Sequence, residues 1–271
     1  MLITALLTLA ALAAPPHLDA LSARSTVELD RAALSAPTWQ ERHDARVALA
    51  WRSAPDEAAL AWEGQPVLSR TMVPLFTSPD FHGPVAGVVL VDRLRRGGVP
   101  QHWRGGLTQA AVLAGGVEAE AVIGLFRDEP VPEARAALLD VLGKAEPGLA
   151  LAGLAEAMED ESGRVRATAL QVLAGRADGA ARADLVLRGS SDSDYEVRAA
   201  AMQAIGWLGL ADLWDTAVGG LSDPEARVRM KALRALERLD SARAVSLTQV
   251  QAMAQDPDKS VASVARRLLA R

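Results

Sequence analysis

A chain of 271 residues in which half the side chains are apolar can bury a sizeable core, which excludes a disordered protein. Aromatic residues make up only 4% while Ala, Leu and Val dominate, so composition favours an all-helical fold. A net charge of -5 with acids and bases interspersed offers no basic stripe to a phosphate backbone, and the absence of cysteine excludes disulfides, thiolate metal sites, a cysteine nucleophile and a lipidated cysteine.

Residues 1–14, MLITALLTLAALAA, carry no charged side chain, and Ala11-Leu12-Ala13 has the small-x-small form that signal peptidase accepts. They are expected to be a signal peptide, cleaved after Ala13 or Ala14 and delivering the chain to the periplasm or the medium. No Lys or Arg precedes the run and Pro15-Pro16 crowd the cut, so a buried capping helix in a cytoplasmic protein is the alternative. A run this short does not span a bilayer, which takes about 20 residues, so no stable membrane insertion is expected after its removal.

Residues 15–100 read as an irregular helical region. Residues 14–37 fit a helical cap or a loose leader. Thr38 and Glu41 stand at capping-box spacing, which predicts a helix start. Leu68-Ser69-Arg70 and the apolar run Val85 to Leu94 suit the two helices of one degenerate repeat, with Ser78 to Pro84 as the joining loop. Arg95-Arg96-Gly97-Gly98 then reads as a helix end with charge suited to it.

From residue 101 a unit recurs. Trp103-Arg104, Ala134-Arg135, Val165-Arg166, Val197-Arg198, Val228-Arg229 and Val261-Ala262 follow one another at 31, 31, 32, 31 and 33 residues. Within a copy, small or apolar residues stand 4, 7 and 8 residues past the anchor, as in Val197, Ala201, Ala204 and Ile205, which lines one face of an α-helix. The recurrent alanine at the first of these positions lets a neighbouring helix approach closely. Asp160, Asp192, Asp223 and Asp256 stand six residues before the anchor's second residue, and Asp223-Pro224 and Asp256-Pro257 read as helix N-caps with proline first in the helix. Gly143, Gly175, Gly206 and Gly209 suit the C-terminal turns, after which a second apolar segment begins. Each repeat is therefore expected to be two antiparallel helices.

With acid, Val-Arg, alanines and glycine in that order, SDSDYEVRAAAMQAIGWLG and SDPEARVRMKALRALERL resemble the short, phycobilisome-lyase-type HEAT-like repeats. The resemblance implies an all-α fold, a right-handed α-solenoid or superhelix of stacked antiparallel helix pairs, with residues 101–271 as the array. It also implies that function rests on the exposed residues of a concave, second-helix face.

The arginines after the anchors, Arg135, Arg166, Arg198 and Arg229, have two readings: a basic ladder for an acidic ligand, or structural partners of the aspartates, which is favoured because acid and arginine recur together. On the second-helix side, Arg182 and Trp214 share the position 17 residues past their anchors, so stacking is expected to set them side by side. Arg182, Trp214 and Asp215 are accordingly the candidate partner-binding residues, although Trp214 also suits a core-filling role. No catalytic residue and no cofactor is expected. His17, His43, His82 and His102 form no metal-binding spacing, and neither a nucleophile turn nor a phosphate loop occurs. The expected function is a non-enzymatic scaffold or adaptor for a protein or peptide, with no nucleic-acid partner. A lyase-like or chromophore-handling protein with a concave pocket is the alternative, and a DNA-binding helical-repeat glycosylase is disfavoured by the acidic balance.

Overall fold

The computed structural model describes residues 18–53, 79–96, 99, 101–114 and 118–270. The expected signal (1–14) and the segment Leu68-Ser69-Arg70 lie outside the described residues. The chain divides into two compact units, Met1–Val141 and Leu142–Arg271. All regular structure in the described residues is helical.

The first unit holds α1 (Asp19–Ser22), α2 (Thr26–Ser35), α3 (Trp39–Ser53), α4 (Pro79–Arg96), α5 (Gln101–Ala114), α6 (Ala119–Asp128) and α7 (Pro132–Leu142), whose last residue falls in the second unit. The segment open to two readings is a helical cap: α2 packs on α3 through Leu29, Ala33, Ala45 and Ala48. Ser25 and Glu28 start α2 by a capping box, and Thr38 and Glu41 start α3 by another, with Glu41 N–H donating to Thr38 Oγ1 at 3.2 Å and Thr38 N–H to Glu41 Oε2 at 3.2 Å. One expectation for this unit is overturned. The stretch from Pro79 to Pro84, read as a loop, is the first part of α4. Pro79 occupies the first helical position, where a missing N–H has no consequence, whereas Pro84 in the second turn costs the helix one bond. Val88, Val89, Leu90, Val91 and Leu94 of this helix are buried, and α4 packs on both α3 and α5.

The second unit continues with α8 (Pro147–Ala157), α9 (Gly163–Ala174), α10 (Ala183–Gly189), α11 (Tyr195–Trp207), α12 (Trp214–Gly219), α13 (Ala226–Leu239), α14 (Ser241–Ser246), α15 (Thr248–Ala252) and α16 (Lys259–Leu269). It is an α-solenoid. The first helices α9, α11, α13 and α16 pack side by side in sequence order, each turning its anchor set inward. Val165, Val197, Val228 and Val261 are each no more than 1% exposed. The second elements are shorter than two full helices per repeat implies: α10 follows a 3-10 turn at Gly179–Arg182, α12 one at Ala211–Leu213, and the last repeat but one splits into α14 and α15.

The alanines four residues past the anchors do permit close approach, and the partners are glycines. A Cβ on Gly220 would stand 3.0 Å from Ala232 Cβ and 2.6 Å from Met202 Sδ, and one on Gly189 would stand 3.5 Å from Ala201 Cβ. Thus the end of each second element lies against the first helices. Gly206 is likewise a packing residue and not a turn, since its Cβ would fall 2.8 Å from Ala235 Cα. Gly209 is the glycine with a left-handed backbone among the described residues, at φ 64°. There Leu210 N–H reaches back to Ile205 C=O at 3.0 Å and closes the C-terminal turn of α11.

The repeat aspartates do not sit at the N-caps. Helices α13 and α16 begin at Ala226 and Lys259, three residues past Asp223 and Asp256. In α11 and α16 the cap is the acid two residues on: Asp194 accepts from Glu196 N–H, and Asp258 from the N–H groups of Ser260 and Val261. The repeat aspartates are held elsewhere, by the arginines described next.

Replacing Ala232 with Leu should drive the added atoms into Gly220 and Met202 and lower stability by about 1 to 3 kcal/mol, read as a reduced midpoint in urea. An unchanged midpoint would mean that the assigned helix register is wrong.

Candidate functional site

Arg166, Arg198 and Arg229 are clasps between successive repeats. Arg166 donates from Nε and Nη2 to both oxygens of Asp192, at 2.8 and 2.7 Å, while its Nη1 donates to the carbonyls of Asp160 and Glu161 at 2.8 and 3.1 Å. Arg198 grips Asp223 in the same way, at 2.7 and 3.1 Å, and reaches the carbonyls of Asp192 and Ser193. Arg229 grips Asp256 at 2.8 Å through both nitrogens and reaches the carbonyls of Asp223 and Pro224. Each guanidinium therefore fixes the turn that leads into its own helix and the carboxylate that leads into the next. Each carboxylate also accepts the N–H two residues ahead, as Asp192 does from Asp194 at 2.8 Å and Asp223 from Glu225 at 2.9 Å, an Asx-turn that shapes the entry. With donors this fully committed, the arginines are structural and not a grip for a ligand.

The same clasp occurs in the first unit with a glutamate. Arg104 donates to Glu129 at 2.8 Å, Glu129 Oε1 accepts from Val131 N–H at 3.0 Å, and Arg135 Nη1 donates to the Glu129 carbonyl at 3.0 Å. Sequence reading found Arg104 and Arg135 but missed Glu129. The signal was present: Glu129 stands six residues before Arg135 and precedes Pro130, as Asp223 precedes Pro224.

The acids of the ladder are held below the ordinary carboxylate range. The hydrogen bond from Arg166 is the main cause at Asp192, and that from Arg229 at Asp256. At Asp223 burial works in the other direction and is outweighed by the Arg198 hydrogen bond, the Glu225 N–H and the charges of Arg198 and Arg229.

The structure places Arg182, Trp214 and Asp215 as follows. Arg182 makes a bidentate pair with exposed Asp184, at 2.9 Å through both nitrogens, and reaches the Leu151 carbonyl at 3.3 Å. Trp214 opens α12 and is only 5% exposed, in keeping with its space-filling role. The guanidinium over its ring is that of Arg243, an exposed residue of α14, 4.1 Å from the centroid. Asp215, next in the first turn of α12, is exposed. Arg243 was missed because it stands 15 residues past its anchor, out of register with Trp214 at 17. A second stack was legible and overlooked: Arg238 lies over Trp207 at 5.2 Å, and both stand ten residues past their anchors.

In the first unit His43 and Asp92 are buried, with His43 Nε2 3.7 Å from Asp92 Oδ1. Ligand-type atoms of His43, Asp44 and Asp92 lie within 4.8 Å of one another. Arg96 already supplies a positive charge there, donating to Asp92 Oδ1 at 3.0 Å and to Asp44 Oδ1 at 3.4 Å. A cation would have to displace that guanidinium, so the group reads as a buried His–Asp pair closed from the surface by Arg96. Asp92, 49 residues from His43, carries no motif that could have announced it. The side chains of His17, His82 and His102 lie outside the described residues.

Because the folded-state pKa values of Asp192, Asp223 and Asp256 are depressed below 3.8, the stability they contribute is complete well above that value and is lost as pH falls from it through the lower folded-state values. The urea midpoint should hold from pH 7 to about 5 and drop below about 4. Asp223→Asn should lower stability at neutral pH by about 1 to 3 kcal/mol and flatten the acid limb. An acid limb unaltered by Asp223→Asn would remove this carboxylate from the account.

No curated protein matches the chain in sequence. A crystal structure of an engineered protein is similar to it over 90% of this chain and 67% of that one, with 18% identity and a TM-score of 0.45. Residues 183–270 match the family model described as HEAT repeats. That segment covers α10 to α16, the clasps of Arg198 and Arg229, and the Arg243–Trp214 stack, so residues 183–270 are similar to HEAT repeats.

Proposed function

We propose that the chain is a non-enzymatic scaffold or adaptor that binds a protein or peptide on its concave, second-helix face. The observation that carries this reading is the composite patch at the start of α12, where exposed Arg243 covers the indole of Trp214 beside exposed Asp215. With the indole beneath it, the Arg243 guanidinium offers a held, flat cationic face beside the Asp215 carboxylate, a surface suited to polypeptide.

The lyase-like alternative needs carboxylates free for proton transfer in a cleft. A cleft of about 490 Å³ in the first unit is bordered by Glu28, Glu41 and Asp44, yet Glu28 and Glu41 are both spent on capping boxes and Asp44 takes a hydrogen bond from Arg96. We also propose export, on the strength of residues 1–14. No helix among the described residues is long and apolar enough to cross a membrane.

Partner proteins retained on the immobilised full chain should bind about tenfold more weakly to Arg243→Ala or Asp215→Lys, exposed positions whose change leaves the fold intact. Retention equal to that of the unaltered chain in both variants would contradict the second-helix site. For export, amino-terminal sequencing of protein from fractionated cells should find a start at Ala14 or Pro15, and an intact Met1 in the cytosol would contradict it.

A further inference from the structure

Charges that alternate along the sequence separate by sign once it is coiled. In α13, Arg227, Lys231, Arg234 and Arg238 follow at steps of four, three and four residues. At about 100° per residue they fall within about 60° of one another and form a stripe about 16 Å long. Arg229 of the clasp points to another side. The stripe is hidden in the linear sequence because Glu237 and the apolar anchors lie between these residues.

Across the contact between the two helices, α11 opposes the stripe with Glu196, Gln203 and Trp207. Glu196 pairs with Arg227 at 3.2 Å, Gln203 accepts from Lys231 Nζ, and Trp207 lies under Arg238. Trp207 is 57% exposed, the most exposed tryptophan among the described side chains. Arg267 holds the place in α16 that Arg234 holds in α13, six residues past the anchor. Among the described residues no carboxylate pairs with Arg234, Arg238 or Arg267. The field is felt within the stripe: burial, then the neighbouring guanidiniums of Arg234, Arg227 and Arg238, push the Lys231 ammonium below its ordinary pKa. A local excess of positive charge in a chain of net charge -5 is raised in energy until an anion covers it.

We propose that Lys231, Arg234 and Arg238, with Arg267 alongside and Trp207 at the edge, form a docking surface for an acidic peptide segment of a partner protein. This surface lies on the first helices and goes beyond the second-helix site proposed above. An extended peptide advances about 3.3 Å per residue, so about five residues cover the stripe, with alternate carboxylates meeting the guanidiniums and an apolar side chain meeting the Trp207 indole. The dimensions favour peptide over nucleic acid. Glu196 closes one end and Asp240, which caps α14, the other, so a polynucleotide following the stripe would run on to acidic surface.

The test is fluorescence anisotropy with the full chain and a fluorescein-labelled peptide repeating Glu-Glu-Phe, beside a Lys-Lys-Phe peptide and an oligothymidylate of equal charge. The acidic peptide should bind, weaken with added salt, and lose about tenfold in affinity with Arg234→Glu/Arg238→Glu and about threefold with Trp207→Ala. If the charge-reversed chain does not fold, Arg234→Gln/Arg238→Gln is read in its place. Arg243→Ala should leave this binding unchanged, which separates it from the second-helix site. Equal binding of the Lys-Lys-Phe peptide, tighter binding of the oligothymidylate, indifference to the Arg234 and Arg238 variants, or loss in Arg243→Ala alone would each overturn the proposal.

Discussion

The arginine that grips the next repeat's carboxylate is the constraint on which the second unit depends. A helix pair cannot bury both of its apolar faces alone, so the unit is stable only if repeats stack in one register. Apolar contacts supply most of the favourable energy, but a Val or Ala face could slide by a helical turn at modest cost. The Arg198–Asp223 pair and its neighbours remove that freedom. Each ties one carboxylate, two carbonyls and the Asx-turn leading into a helix, so a slipped register would leave partly buried charges unpaired. Close approach depends on the same register, since only small residues meet at Gly220 against Ala232 and at Gly206 against Ala235.

That constraint also decides where function can reside. The inward face of each first helix is committed to stacking, and the edge at its start is committed to the clasp. Two surfaces remain open to variation between repeats: the start of the second element, where Trp214 and Arg243 meet, and the outer face of the first helix, where Lys231, Arg234 and Arg238 gather. Both sit on helices that the clasps tie to the neighbouring repeats. Both pair an indole of one repeat with a guanidinium of the next, as Trp207 with Arg238 and Trp214 with Arg243.

Periodic features were legible in the sequence and irregular ones were not. The anchors, the alanines and the pairing of acid with arginine recur every 31 to 33 residues, so the repeat and its buried face could be read directly. The caps were misplaced by two residues because Asp-Pro fits an N-cap locally, whereas tertiary contact with an arginine 25 residues earlier draws Asp223 away from the helix. Arg182 was set beside Trp214 on the assumption of strict register, but the second elements are short and broken, and Arg243 reaches the ring from a different offset. Pro79 to Pro84 was read as a loop from its prolines and glycine, and neighbouring helices override that local preference.

The most direct test of the clasp is a double-mutant cycle on Arg198→Ala and Asp223→Ala, followed by urea unfolding at neutral pH and low salt. If the pair fixes one repeat on the next, the double mutant should be less destabilised than the sum of the single mutants, by a coupling on the order of 1 kcal/mol, because each single mutant strands a partly buried charge. Strictly additive losses would show that the arginine and the aspartate act independently, and that apolar packing alone sets the register of the repeats.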